Sequence, residues 1–132
     1  MSTAFKQIFP QGKININYAQ YFIGQSYLCN LAAIDEQIDV DVSNVTFEPG
    51  CHNHWHKHLH GYQILLVTAG QGWYQEADKP ARLLNPGDSV VIHAGVKHWH
   101  GATKDSWFSH IAITKGQSEW LEPVDSSDYN NL

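Results

Sequence analysis

Hydrophobic and polar residues alternate in short runs along most of this chain, and turn residues separate the runs. Alternation with a period of two indicates half-buried β-strands, because successive side chains of a strand point to opposite faces. The predicted strands, in chain order, are 15–19, 25–32, 42–48, 62–68, 73–75, 81–84, 89–93, 97–101 and 107–114. No long segment has the 3.6-residue period of a helix, so the pattern predicts an all-β barrel or sandwich.

The segment after the last strand is different in character. Asp125 can cap a helix N-terminus and Asp128 places an acid in its first turn, which predicts a short helix running to Leu132. We therefore expect one domain over residues 1–132, with a barrel core at about 25–115. The N-terminal strands and the C-terminal tail are expected to pack on that core.

Histidines occupy every second position from 52 to 60, in the stretch PGCHNHWHKHLHGYQ. A period of two on a strand would place all five on one face, with Cα atoms of neighbouring members about 6.6 Å apart. Two imidazoles at that spacing can reach one metal ion. The favoured pair is His56 and His58, because Trp55 and the apolar run 64–67 mark where the barrel wall begins. The alternative is a mobile histidine-rich loop that scavenges metal without catalysis.

Composition narrows the class of protein. The chain has 132 residues, of which 42% are hydrophobic, which is typical of one globular domain with a real core. The net charge of −5, with basic residues dispersed, argues against nucleic acid or an anionic membrane as a partner. Two cysteines, Cys29 and Cys51, do not make a disulfide framework. With no signal-peptide segment and no apolar run of 18 residues, we expect a cytoplasmic protein.

A second histidine cluster lies downstream. His98 and His100 share a strand face by the same period of two, and either could complete a metal site begun by the first cluster. His110 lies in the strand predicted over 107–114. Taken alone, a single histidine in a β-rich core is expected to be a hydrogen-bonded core residue.

Several segments together resemble a known family. They are PG at 49–50, WHKH at 55–58, QILLVTAGQGWYQ at 63–75, NPGDSVVI at 85–92, VKHWHGA at 96–102 and DSWFSHIAI at 105–113. They look like the two cupin motifs. More narrowly, they are similar to small single-domain cupins associated with carboxymuconolactone decarboxylases, a group that includes manganese-dependent bacterial hydroxynitrile lyases. The likeness runs from about residue 21 to the tail.

This resemblance implies a jelly-roll β-barrel with one divalent transition metal ion inside. Carried across by motif, the metal ligands are His56, His58, Gln63 and His98. His100 and His110 would line the pocket as catalytic groups, with His110 in the position of a candidate acid/base. The spacing from His58 to Gln63 is one residue longer than in the lyases, so His60 is an alternative ligand to Gln63. His52, His54 and His93 also stand where relatives tend to have other residues.

The implied chemistry depends on a neutral ligand set. Three imidazoles and an amide cancel none of the charge of a divalent ion, which would then act as a strong Lewis acid. Such ligands suit Mn, Fe, Co, Ni or Zn, and the resemblance favours Mn. The expected function is metal-dependent lyase chemistry on a small oxygenated molecule, of the hydroxynitrile lyase type. The alternatives are an iron-dependent oxygenase and a metal- or ligand-binding module without turnover. By family analogy, we expect a homodimer or higher homo-oligomer.

Overall fold

Strands dominate the computed structural model, which describes residues 5–132. The strands are β1 (Lys13–Ile14), β2 (Phe22–Ile23), β3 (Ser26–Ala32), β4 (Asp41–Phe47), β5 (His52–Asn53), β6 (His56–Gly70), β7 (Gly72–Glu76), β8 (Arg82–Leu84), β9 (Ser89–His93), β10 (His98–Ala102) and β11 (Phe108–Trp120). One 3₁₀ turn (Ala19–Tyr21) precedes β2, and one short helix, α1 (Ser126–Asn130), follows β11. The prediction of an all-β protein with a short C-terminal helix is confirmed.

The strands form a single curled sheet in the order β1-β3-β4-β11-β6-β10-β5-β2. Three further strands extend it: β7 pairs with β10 and β8, and β9 pairs with β6. The pairs are antiparallel. Because β6 and β11 are paired over almost their whole lengths, they form the central strand pair of the curled sheet. Strand β10 pairs with the first residue of β6.

The prediction of a first strand over residues 15–19 is wrong. Residues 15–19 were expected to be extended, but only Lys13–Ile14 pairs with β3. The chain then makes local hydrogen bonds instead of a strand ladder, from the Ala19 N–H to the Ile16 carbonyl and from the Tyr21 N–H to the Tyr18 carbonyl. These local bonds satisfy the backbone without a partner strand.

The apolar core lies inside the curl of the sheet. Its fully buried strand members come from six different strands and include Phe47, Leu65, Ile92 and Phe108. A smaller second cluster of Trp99, Val124 and Tyr129 joins the C-terminal segment to the outer side of β10. The first cluster therefore fills the inside of the curled sheet, and the second packs the C-terminal segment against β10.

A bulge changes which side chains of β6 face inward. Before it, the buried residues have even numbers, His56 and His58; after it they have odd numbers, Gln63 and Leu65. The pairing with β11 shifts register between Lys115 and Gln117, and His60 has a φ of 58°. An irregularity of this kind re-aims the following side chains to the other face.

The C-terminal helix begins as its sequence predicts. The Asp125 carboxylate accepts hydrogen bonds from the backbone N–H groups of Ser127 and Asp128. Tyr129 is buried, and its hydroxyl donates to the Ala102 carbonyl at 2.6 Å. The helix ends at Asn130 rather than at Leu132. Within residues 5–132, no helix combines the length and the apolar character that crossing a membrane requires.

Candidate metal site and its cavity

Strand register brings the two histidine clusters together. His56 on β6 and His98 on β10 are directly opposite partners, and their ring centroids are 4.2 Å apart. His58 follows on the same face of β6, with its ring centroid 5.4 Å from that of His56 and 5.2 Å from that of His98. All three side chains are buried. Segments about 40 residues apart in sequence therefore meet at one point in the barrel.

Backbone carbonyls fix the protonation of two of these rings. The Nδ1 atom of His56 lies 2.8 Å from the His54 carbonyl oxygen, and Nδ1 of His98 lies 2.9 Å from the Val96 carbonyl oxygen. A carbonyl oxygen only accepts, so Nδ1 carries the proton and Nε2 carries the lone pair. Nε2 of His98 is buried with no hydrogen-bond partner in the described structure. A buried, unpartnered lone pair is what a metal ion would satisfy.

The side chain of Gln63 lies in the same place. Its Oε1 atom is 3.2 Å from Nε2 of His58, and its amide nitrogen donates to Oγ1 of Thr114 at 2.9 Å. Two ligand atoms at right angles around one ion are about 3.0 Å apart when the bonds are about 2.1 Å. Without an ion, the same contact is a hydrogen bond from the imidazole N–H to the amide oxygen. His60, the alternative ligand, is exposed and does not line the cavity that His58 and Gln63 line.

One group of histidine ligand atoms differs from the expected set. Within residues 5–132, His56, His98 and His100 form a buried triad whose ligand nitrogens lie within 4.8 Å of one another and could hold a metal ion. The expected set had His58 and Gln63 where this triad has His100. His56 and His98 belong to both sets. The choice of the remaining ligands stays a prediction.

His100 and His110 form a pair beside these rings. Nδ1 of His100 is 3.2 Å from Nε2 of His110, and both side chains are buried. Phe47 contacts both rings, with centroids 5.9 Å from His100 and 5.5 Å from His110. The structure thus places His100 next to the predicted ligands His56 and His98, and His110 against His100. Whether they act in catalysis stays a prediction.

Burial shifts the pKa values of these histidines downward. Loss of hydration lowers the pKa of His98 to about 4 and that of His110 to about 3. The pKa values of His56 and His100 lie well below the usual value, first because of burial and then because of neighbouring histidines. All four rings are therefore neutral at pH 7, which is the form that binds a metal ion or accepts a proton.

The remaining histidines of the first cluster face elsewhere. His52 stacks on Tyr129 with ring centroids 4.0 Å apart, and His54 contacts Tyr21 edge to face at 6.3 Å. His60 is exposed. The prediction that all five alternating histidines share a face is wrong, because they do not belong to one regular strand: β5 ends at Asn53, and the bulge interrupts β6 at His60.

A cavity of about 630 Å³ opens beside the histidines. Its walls combine polar groups with apolar side chains that include Phe22, Leu28, Val45, Ala112 and Trp120. The Trp120 indole stacks on His56, with ring centroids 4.4 Å apart. Such a cavity suits a small organic molecule with one polar end.

A family comparison agrees with this architecture. Residues 43–114, more than half of the chain, match the model of the Cupin_2 family, described as a cupin domain. The chain belongs to the cupin family. A curated relative is (R)-mandelonitrile lyase of Granulicella tundricola, which is 37% identical over 115 residues, or 84% of this cupin and 87% of that protein.

Solved structures show the same fold. A cupin-like protein of Thermotoga maritima is 40% identical, with a TM-score of 0.88 over 96% of both chains. A DMSP lyase of Ruegeria pomeroyi superposes with a TM-score of 0.64 at 17% identity, over 92% of this cupin and 63% of that chain. At that identity the second likeness shows the fold alone.

The donor atoms of this cupin fit a divalent transition metal. They are imidazole nitrogens with their proton on the far side of the ring, together with an amide oxygen, and the group includes no thiolate. Such donors suit Mn, Fe, Co, Ni or Zn.

Two functional neighbours were missed from the sequence. Trp120 lies past the predicted end of the last strand. Asn53 lies between His52 and His54, and no motif marks it. The parity of β5 could have found Asn53: it lines the histidine cavity, while its neighbour His52 lines a different cavity.

Proposed function

We propose that this cupin is a metal-dependent lyase that breaks and forms the carbon–carbon bond of small α-hydroxy nitriles. The proposal is supported by the curated relative, which is named a mandelonitrile lyase and is 37% identical over most of both chains. His56 and His98 would hold the ion, with His100 or with His58 and Gln63 completing the set. We propose manganese as the metal on the basis of the sequence resemblance.

The observation that carries the proposal is the neutral imidazole pair beside the candidate ligands. His100 and His110 are 3.2 Å apart and both line the cavity. Their lowered pKa values keep them unprotonated at neutral pH, so either can accept a proton from a substrate hydroxyl. A binding module without turnover has no need of such a pair.

The proposed reaction needs one proton to move from oxygen to carbon. When bound, a divalent ion supplies Lewis-acid polarisation of a substrate oxygen. An imidazole of the pair accepts the hydroxyl proton as the carbon–oxygen double bond forms. The bond to the nitrile carbon breaks, and its electron pair leaves with cyanide. The imidazolium then returns the proton to cyanide, so the products are an aldehyde and hydrogen cyanide.

The cavity walls have a part in this reaction. Phe22, Val45 and Trp120 can enclose the organic group of the substrate and exclude bulk water. Exclusion of water strengthens the interactions of the imidazole pair with the developing charge. The polar groups of the wall would orient the hydroxyl.

The test begins with elemental analysis of protein purified without a histidine tag. Cyanohydrin cleavage is then measured in the metal found, with oxygen uptake followed in parallel. We expect about one ion per chain and aldehyde release without oxygen consumption. Oxygen-dependent turnover would instead indicate an oxygenase, and a metal-loaded protein inert to cyanohydrins would contradict the lyase proposal.

His110→Ala separates catalysis from metal binding. We expect its metal content to match that of the wild type while turnover falls by about 100-fold or more, as is usual for loss of an acid/base group. His93→Ala, which changes an exposed histidine on β9, is the matched control and should keep both. Equal loss of metal and turnover in His110→Ala would make His110 a structural residue.

A further inference from the structure

The histidine cavity has a second polar region, at the start of β4. Asp41 lines the cavity there and is half-buried. Its Oδ1 atom accepts a hydrogen bond from the Ser43 hydroxyl at 2.7 Å, and its Oδ2 atom accepts one from the Asn30 amide nitrogen at 2.7 Å. Asn30 and Ile34 line the same cavity and are exposed, so this end opens to solvent. The carboxylate is therefore held in place near the opening of the cavity.

This carboxylate has acceptor capacity that the protein leaves unused. An ionised carboxylate has about four acceptor sites, and the bonds from Asn30 and Ser43 occupy two of them. Asp41 forms no ion pair with any residue in the range 5–132. The nearby Lys115 pairs instead with Asp39, at 3.2 Å. A ligand that carries a hydrogen-bond donor can therefore use the remaining sites of Asp41.

Asp41 also determines the fixed charge of the cavity wall. Of the described residues that line the cavity, it is the only aspartate, glutamate, lysine or arginine. The other polar side chains of the wall carry amide, hydroxyl or imidazole groups. A negative charge with no basic residue beside it repels a carboxylate on a ligand and attracts a hydroxyl or an ammonium group.

Strand register gives the distance between this carboxylate and the candidate metal site. Asp41 on β4 is the direct partner of Thr114 on β11, and Thr114 is the direct partner of Gln63 on β6. All three line the cavity. Neighbouring strands are about 4.8 Å apart, so Asp41 and Gln63 lie about 10 Å apart across the sheet. A six-membered ring with one substituent at each end fits that span.

We propose that Asp41, held by Asn30 and Ser43, is a specificity-determining residue that binds a hydroxyl or amino group at the end of the substrate remote from the histidines. The substrate class then narrows to small α-hydroxy nitriles whose organic group ends in a hydrogen-bond donor. This narrowing rests on the proposed lyase function. The binding preference itself does not, because it depends only on the cavity wall.

Ligand binding measures this preference without turnover. The ligands are three benzyl alcohols that carry an ethyl, a hydroxymethyl or an ammoniomethyl group at the para position. These groups are similar in size and differ in donor capacity and charge. Calorimetric titration of the metal-loaded, untagged protein at pH 7 should show about 10-fold tighter binding of the ammoniomethyl compound than of the ethyl compound. Equal affinity, or tighter binding of the ethyl compound, would overturn the proposal.

Asp41→Asn assigns the preference to one side chain. The amide has nearly the same size as the carboxylate and still offers an acceptor, but it has no charge. We expect the ratio of the ammoniomethyl to the ethyl affinity to fall by about 10-fold, with metal content unchanged. Asp39→Asn is the matched control: it makes the same change two residues away, on an exposed side chain that does not line the cavity, and should keep the wild-type ratio.

A purely structural role for Asp41 gives a different result. If the carboxylate only ties β3 to β4, Asp41→Asn lowers the free energy of unfolding in urea but keeps the wild-type ratio of affinities, which would overturn the proposal. The comparison of the three ligands in the wild-type protein decides the preference even if Asp41→Asn does not fold.

Turnover separates this role from the lyase function. The cyanohydrins of para-hydroxymethyl and para-ethyl benzaldehyde are compared by kcat/KM, and we expect the wild type to prefer the first and Asp41→Asn to lose that preference. Cleavage of both without any preference would contradict the role of Asp41 and leave the lyase function intact. A binding preference that depends on Asp41, in a protein that cleaves neither, would contradict the lyase function alone.

Discussion

Single hydrogen bonds determine what each histidine of this site can do. His56 and His98 both direct Nδ1–H to the carbonyl of the residue two positions earlier, which leaves Nε2 for a ligand. Each ring belongs to the first residue of its strand, and the accepting carbonyl lies in the segment just before that strand. The chemistry of the site is thus set by backbone geometry as much as by residue type.

His98→Ala tests this geometry at the more buried of the two rings. The variant removes an Nε2 that has no protein partner, so we expect it to lose most of the bound metal while keeping the fold. Elemental analysis of untagged protein checks the loss, and His93→Ala is again the control. Metal content near one ion per chain in His98→Ala would mean that β10 supplies no essential ligand.

Thr114→Val tests the role of Gln63. The threonine hydroxyl holds the Gln63 amide nitrogen at 2.9 Å, which keeps Oε1 towards His58. Loss of an outer hydrogen bond to a ligand typically weakens metal binding by about 10- to 100-fold. We expect a change of that size in a metal titration. Thr68→Val, which alters a half-buried threonine bonded to the Ser109 carbonyl, should change nothing. Unaltered affinity in Thr114→Val would remove Gln63 from the ligand set.

At the scale of elements, the site depends on the irregularity shared by β6 and β11. The bulge switches the inward parity of β6, so that His58 and Gln63, five residues apart, both face the cavity. Gly116 on β11 makes it possible: its φ is 89°, and an added Cβ would lie 2.5 Å from the Leu59 carbonyl oxygen. No other residue type fits without displacing β6.

Gly116→Ala should therefore cost more than backbone strain alone. A left-handed conformation costs a residue other than glycine about 1–2 kcal/mol, and the clash adds about 1–3 kcal/mol. Gly50→Ala is the matched control, since its φ is 84° and its added Cβ has nothing within 4 Å. Urea unfolding compares the two free energies, and metal titration shows whether the site moves. Equal destabilisation with unchanged metal affinity would mean that the bulge does not shape the site.

Sequence periodicity predicted the elements where strands are regular and failed where they are not. It placed His56 and His58 on one face because β6 is regular there. It could not show that His60 takes a left-handed conformation, since that depends on the opposing strand. It also ended the last strand at 114, because Lys115-Gly116 looks like a break. The strand in fact continues to Trp120, and so the contact of Trp120 with His56 was not foreseen.

Across the whole molecule, burying several neutral histidines makes stability depend on pH. The pKa of His98 in the folded state is about 4 and that of His110 about 3, below the usual value of 6.5. Between these values and 6.5 the unfolded chain binds more protons than the folded one, so the free energy of unfolding falls as pH falls. The stability contribution is complete above pH 6.5 and decreases towards pH 4.

Urea unfolding of metal-free protein at pH 7.5, 6.0 and 5.0 checks this expectation. We expect the midpoint to decrease steadily over the series, and substitution of the exposed His93 should leave the decrease unaltered. A midpoint that stays constant or rises on acidification would show that these rings are not held neutral. Added metal should steepen the decrease, because protons compete with the ion for the same nitrogens.

A metal ion held between β6 and β10 is tested most directly by anomalous diffraction from crystals of the metal-loaded, untagged protein. We expect one strong peak per chain within bonding distance, about 2.1 Å, of Nε2 of both His56 and His98. A strong peak only at exposed histidines such as His60 or His93, or none between β6 and β10, would contradict it.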